Sequence, residues 1–106
     1  MRRVYIALVN GNIKQDSGEI SAPIARHKKD RKKMAVVEGG RAATTLFTVL
    51  ERSADKKYTL VRFELKTGRT HQIRVHSAHI KHIVAGDKTY GDDGKIWAGG
   101  QLLHAD

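Results

Sequence analysis

At 106 residues, with 40% apolar and 29% charged side chains, the chain fits one domain with a real core and is too ordinary in composition for a disordered tail. Twenty Lys and Arg against eleven Asp and Glu leave a formal charge of +9, which points to a polyanionic partner, nucleic acid first. No apolar run approaches a membrane span, cysteine is absent and no long apolar leader opens the chain, so disulfide scaffolds and thiolate metal sites are excluded and a reducing cytoplasm fits.

Residues 3–9 alternate with β-branched and aromatic types, Val4, Tyr5, Ile6, Leu8 and Val9 among them, and Asn10-Gly11 follows as a turn signal, so a strand and tight turn are predicted. Residues 15–33 hold Gly18, Pro23 and the cluster Arg26, His27, Lys28, Lys29, Asp30, Arg31, Lys32, Lys33, which reads as an exposed, mobile basic loop. Stretches 34–37, 42–51 and 58–65 are β-patterned and separated by Gly39-Gly40 and Ser53-Ala54-Asp55, the punctuation of an antiparallel meander. Thr70 is a candidate cap, and Ile73, His76, Ser77 and Ile80 fall on one helical face, predicting a helix over about 70–80. Glycines then interrupt the chain until Leu102-Leu103, which resembles the start of a strand.

The chemically informative stretch is 66–76, where a strand gives way through Gly68 to a helix start. Backbone N–H groups there, joined by Arg69 and His71, suit a phosphate, and Arg74 lies one turn beyond Thr70 on the same face. Taken singly, these residues would be solvated charges on an amphipathic helix. His71, His76, His79 and His82 are dense enough to suggest zinc, but no Cys or H-E-x-x-H accompanies them, so no metal is assigned, and His76 reads as structural. Phe47, Phe63, Tyr58, Tyr90 and Trp97 are too scattered for a base-stacking platform and read as core.

The string T-G-R-T-H-Q-I-R-V-H at 67–76 resembles the most specific motif of the RluA-type pseudouridine synthases, and Ala78-His79-Ile80 and Gly86-Asp87-Lys88-Thr89-Tyr90-Gly91 continue it. The resemblance extends to residues 3–11, similar to the family's K-x-Y-x-A-x-V-x-G strand with Arg3 for Lys. Residues 20–26, 33–36 and 41–50 are similar to the RluD-like subgroup that modifies large-subunit ribosomal RNA. It implies an α+β fold, a mixed and largely antiparallel sheet, of which this chain is the C-terminal part of a catalytic domain trimmed at both ends.

The resemblance also implies isomerisation of uridine to pseudouridine without a cofactor, with ribosomal RNA as partner and neither membrane nor metal involved. In that chemistry an aspartate attacks a flipped-out uridine, and the base is detached, rotated and rejoined through C5. Tyr5 would stack on the base and help remove the C5 proton, and Arg74 would pair with the aspartate. Arg69, His71 and Gln72 would position backbone and loop, and Arg26, Lys28 and Lys29 would meet phosphates. Two departures stand out: Lys81-His82-Ile83 replaces the family's Gly-His-Pro, and the nucleophile's H-R-L-D string is absent from the 106 residues. The isolated chain is therefore expected to be inactive, with a non-catalytic RNA-binding module as the alternative. Asp87 and Tyr90 read as turn chemistry beside Gly86 and Gly91.

Overall fold

The computed structural model describes residues 3–91 and 103–104. Five antiparallel strands form the main sheet in the order β2-β5-β6-β1-β7: β1 Arg3–Asn10, β2 Ser17–Ser21, β5 Thr44–Arg52, β6 Tyr58–Leu65 and β7 Leu103–His104. A separate two-stranded ribbon pairs β3 (Ile24–Arg26) with β4 (Met34–Val36), and one helix, α1 (Gln72–His79), is followed by a 3-10 turn at Lys88–Tyr90. The fold is thus α+β with an antiparallel sheet.

Side chains two apart in a strand share a face, so the register decides what the sheet presents. Tyr5 stands opposite Phe63, which stands opposite Phe47, and Ala7 opposite Val61, which stands opposite Val49. These residues, with Val9, Ile13, Ile20, Val84 and Ile73 of α1, form the main core, against which Tyr5 packs half-buried. The other face carries Ile6, Leu8, Leu46 and Leu60, each half-buried. A smaller core of Ile24, Ala43 and Val75 seats the ribbon against α1, with Met34, Val36 and Tyr90 at its margin.

The structure revises several local expectations. Strands β2 and β3 lie inside the stretch read as a basic loop. The loop of residues 27–33 is exposed but internally closed, with the His27 N–H on the Lys33 carbonyl and the Lys29 and Asp30 N–H groups on His27 Nδ1. The meander reduces to the β5–β6 hairpin, because β1 pairs beside β6 and β2 beside β5. A register shift after Val49 leaves Leu50 the exposed large apolar residue among those described. Trp97 lies outside the described residues.

Helix α1 begins two residues later than predicted, and Thr70 does not cap it. The N-cap is His71, in the left-handed region at φ 55 and without a side-chain cap. At the other end the His82 N–H reaches the Ser77 carbonyl at 2.8 Å and the Lys81 N–H the Ala78 carbonyl at 3.0 Å, the paired closure of a Schellman motif. Lys81 therefore occupies the position that glycine usually fills, at φ 68.

Candidate active site

The T-G-R-T-H-Q turn is held by Gln72, whose side chain is buried and fully engaged. Its Oε1 accepts from Thr67 Oγ1 at 2.7 Å and from the Arg69 N–H at 3.0 Å, and its Nε2 donates to the Thr44 carbonyl and Thr45 Oγ1, both at 2.9 Å. Gln72 thus braces the turn from inside rather than reaching out to RNA. Arg69 is likewise tethered, its Nε donating to the Ala42 carbonyl at 2.9 Å. The Arg69 backbone N–H, one of the donors of that turn, is already taken by Gln72.

One residue further into the core, Thr45 Oγ1 and His76 Nδ1 lie 2.8 Å apart and His76 Nε2 lies 2.9 Å from the Ala22 carbonyl. A carbonyl only accepts, so Nε2 carries the hydrogen and Nδ1 accepts from Thr45. Burial lowers the His76 pKa, the Ala22 hydrogen bond opposing and His79 adding to the shift, so this fully enclosed ring is neutral and structural, as anticipated. The remaining histidines diverge: His82 Nδ1 donates to the Asn10 carbonyl and His71 faces Tyr90. Among the described residues no three His, Asp or Glu side chains converge on a point that could hold a metal.

On the α1 side of the sheet, Arg74 forms a two-pronged pair with Asp87: Nε to Oδ2 at 2.8 Å and Nη2 to Oδ1 at 2.9 Å. The Asp87 side chain is 3% exposed and that of Arg74 29%. The Asp87 hydrogen bond raises the Arg74 pKa against the opposing effect of burial. The guanidinium also sits 5.1 Å from the centre of the Tyr90 ring. Tyr90 is pinned in turn: its hydroxyl accepts from the Met34 N–H at 3.0 Å and lies 2.8 Å from His71 Nδ1. Burial, then the Arg74 charge, lowers the His71 pKa, so its neutral ring can accept the Tyr90 hydroxyl hydrogen. Burial raises the Tyr90 pKa.

Sequence reasoning placed Arg74 in the site but read Asp87 as turn chemistry and Tyr90 as turn chemistry or core. Gly86 and Gly91 do adopt positive φ, 84 and 121. Asp87, however, spends its carboxylate on Arg74, and Tyr90 is neither a main-core residue nor a turn residue only. The signal available was the string G-D-K-T-Y-G, which no periodicity argument could connect to α1. Tyr5 and α1 lie on the same sheet face, since Tyr5 and Ile73 pack into one core. Arg26, Lys28 and Lys29 are exposed at the tip of the β3–β4 ribbon, with the Arg26 guanidinium donating to the Arg31 carbonyl at 2.7 Å.

A family model described as RNA pseudouridylate synthase matches residues 1–79. The chain belongs to the RNA pseudouridylate synthase family. It is 52% identical over 103 residues to the uncharacterized RNA pseudouridine synthase YlyB of Bacillus subtilis, covering 97% of this chain and 33% of that protein. It is 49% identical over 89 residues to ribosomal large subunit pseudouridine synthase D of Pseudomonas aeruginosa, covering 84% of this chain and 27% of that protein. The structure of human RNA pseudouridylate synthase domain containing 1 superposes with a TM-score of 0.82 at 30% identity, covering 96% of this chain and 46% of that one. The chain thus spans about a third of the length of the bacterial relatives it matches. Among the described residues no helix is long and apolar enough to cross a membrane.

Proposed function

We propose that the chain is the C-terminal part of the catalytic domain of an RNA pseudouridine synthase acting on a uridine of large-subunit ribosomal RNA in the cytoplasm. The observation that carries this reading is the half-buried Arg74 guanidinium, held by Asp87 on the sheet face that also bears Tyr5. Nε and Nη2 are committed to Asp87, so the Nη1 side of the fork is left to meet a second carboxylate, the nucleophile of an H-R-L-D segment. That carboxylate attacks the flipped uridine, Tyr5 stacks on the base and assists loss of the C5 proton, and Arg74 keeps the carboxylate ionised. Arg26, Lys28 and Lys29 supply phosphate contacts, while Arg69, His71 and Gln72 shape the turn. The chemistry uses no cofactor. The half-buried apolar face of the sheet supports a larger domain of which these residues are a part.

The test is tritium release from C5-labelled uridine in ribosomal RNA. The 106-residue polypeptide contains no H-R-L-D string and releases none; fused to an upstream segment carrying that string, it turns over. In the fused protein Arg74→Ala lowers turnover by about a hundredfold or more while RNA affinity changes little, the pattern of a charge acting on the reacting state. Release by the unfused chain, or equal loss of affinity and turnover, would defeat the reading.

One observation favours a second reading, a non-catalytic RNA-binding module. The carboxylate that Arg74 meets is Asp87, so the site keeps its shape without a nucleophile. RNA binding that weakens steeply with salt, together with a folded fusion that fails to turn over, would select it.

A further inference from the structure

A pocket of about 270 Å³ lies between the β3–β4 ribbon and α1, with neither Tyr5 nor Arg74 in its lining. Its floor is Met34, Val36, Val75 and Ala78, apolar surface at the margin of the smaller core. Met34, Ala35 and Val36 are all half-buried. Tyr90 forms a wall, its hydroxyl fixed by Met34 and His71 so that the ring cannot swing away. His27, Lys33 and His79 complete the lining, and none of the nine lining residues is acidic. The Lys33 ammonium lies 5.9 Å from the centre of the Tyr90 ring, which places a positive charge against the wall.

An apolar floor, an aromatic wall and basic groups with no acidic residue in the lining match one group in RNA: an unstacked base with its phosphate attached. The volume sits just below the roughly 300–1,000 Å³ of common ligand pockets, room for one nucleotide and not for a strand. We propose that this pocket is a subsite for a single splayed-out nucleotide flanking the target uridine, its base on Met34, Val36, Val75 and Ala78 and its phosphate at Lys33. The subsite rests on the RNA-synthase reading but is separate from the Tyr5–Arg74 region, with Tyr90 between the two. It reads shape and charge rather than base identity, since its basic groups address the phosphate and its floor offers no directional base contacts.

The experiment is an NMR titration of the 106-residue chain with uridine 5′-monophosphate, uridine and inorganic phosphate, alongside binding of a large-subunit ribosomal RNA hairpin. The nucleotide should saturably shift the amides of Met34, Val36, Val75 and Ala78, with uridine and phosphate each at least tenfold weaker. Ala78→Leu, which fills the floor from the helix, should abolish these shifts while leaving the β1, β5 and β6 amides in place. Lys33→Ala should weaken the nucleotide about tenfold and leave uridine unchanged, which keeps the idea testable should the first variant perturb the helix. No shift at the floor, phosphate binding as well as the nucleotide, or indifference to both substitutions would overturn the subsite. RNA binding without nucleotide binding removes only the subsite, whereas failure to bind the hairpin removes the RNA reading itself.

Discussion

The Arg74–Asp87 pair predicts an asymmetry between its two halves. Arg74→Met strands a carboxylate that is 3% exposed, whereas Asp87→Asn strands a guanidinium that is 29% exposed and can turn to water. Breaking a buried pair typically costs about 3–5 kcal/mol because of the charge left behind, and the upper part of that range applies when the survivor is the enclosed one. Solvent screening of the guanidinium brings Asp87→Asn down to about 1–2 kcal/mol. Asn keeps the shape and one acceptor but turns an N–H toward the other prong. The double variant removes both charges, so its cost should fall short of the sum of the singles by about 1–2 kcal/mol. Urea unfolding followed by far-ultraviolet circular dichroism at pH 7 measures all four corners of the cycle. Equal costs for the two singles, or strict additivity, would refute the claim that the pair is one buried unit centred on Asp87.

Three further outcomes are open to measurement. Lys81 holds φ 68 at the glycine position of a Schellman closure, so Lys81→Gly should stabilise by about 0.5–1 kcal/mol and raise Tm by a few degrees, and a fall in Tm would contradict the strain. His76 has a lowered folded pKa through burial, so its contribution is complete above the unfolded value of about 6.5 and is lost as pH falls below it, by at most about 1.4 kcal/mol per pH unit. Urea midpoints that stay flat between pH 7 and 5 would refute that. A Cβ added at Gly40 would stand 2.8 Å from the Ile24 carbonyl carbon and oxygen, so Gly40→Ala should cost about 1–3 kcal/mol by pushing β3 off its seat. Chemical denaturation of the variant reads this directly, and a neutral result would mean the backbone yields.

What the sequence made legible tracks how local each signal is. The alternation of β1 and β6 and the helical face of Ile73, His76 and Ser77 were readable because burial repeats at the period of the element. Strand β2 was hidden because it is a sheet edge whose fully buried residue is Ile20, flanked by Ser17, Gly18, Glu19 and Ser21. The strand order escaped because β1 pairs with residues 58–65 and 103–104, and pairing at such separations leaves no local imprint. The same applies to the site: Tyr5 and Arg74 came from motif resemblance, while the Arg74–Asp87 contact joins two elements across a turn and a helix end. Thr70 looked like a cap by residue type, but Gln72 had already claimed the turn.

The outer edge of β1 is closed by two different segments. Near its C-terminal end Val9 bridges to Val84, with the Asn10 N–H on the Ile83 carbonyl and the Ala85 N–H on the Leu8 carbonyl. Near its start Tyr5 and Ile6 pair with His104 and Leu103. The chain therefore leaves one strand, passes through Asp87 and Tyr90, and returns to that same strand. A one-residue slip of β1 would turn Tyr5 to the opposite face. Such a slip would have to break the pairing on both edges at once and drag the origin of the segment that carries the partner of Arg74. The address of the tyrosine and the aim of the arginine are thus set by a single register, and neither can drift without the other.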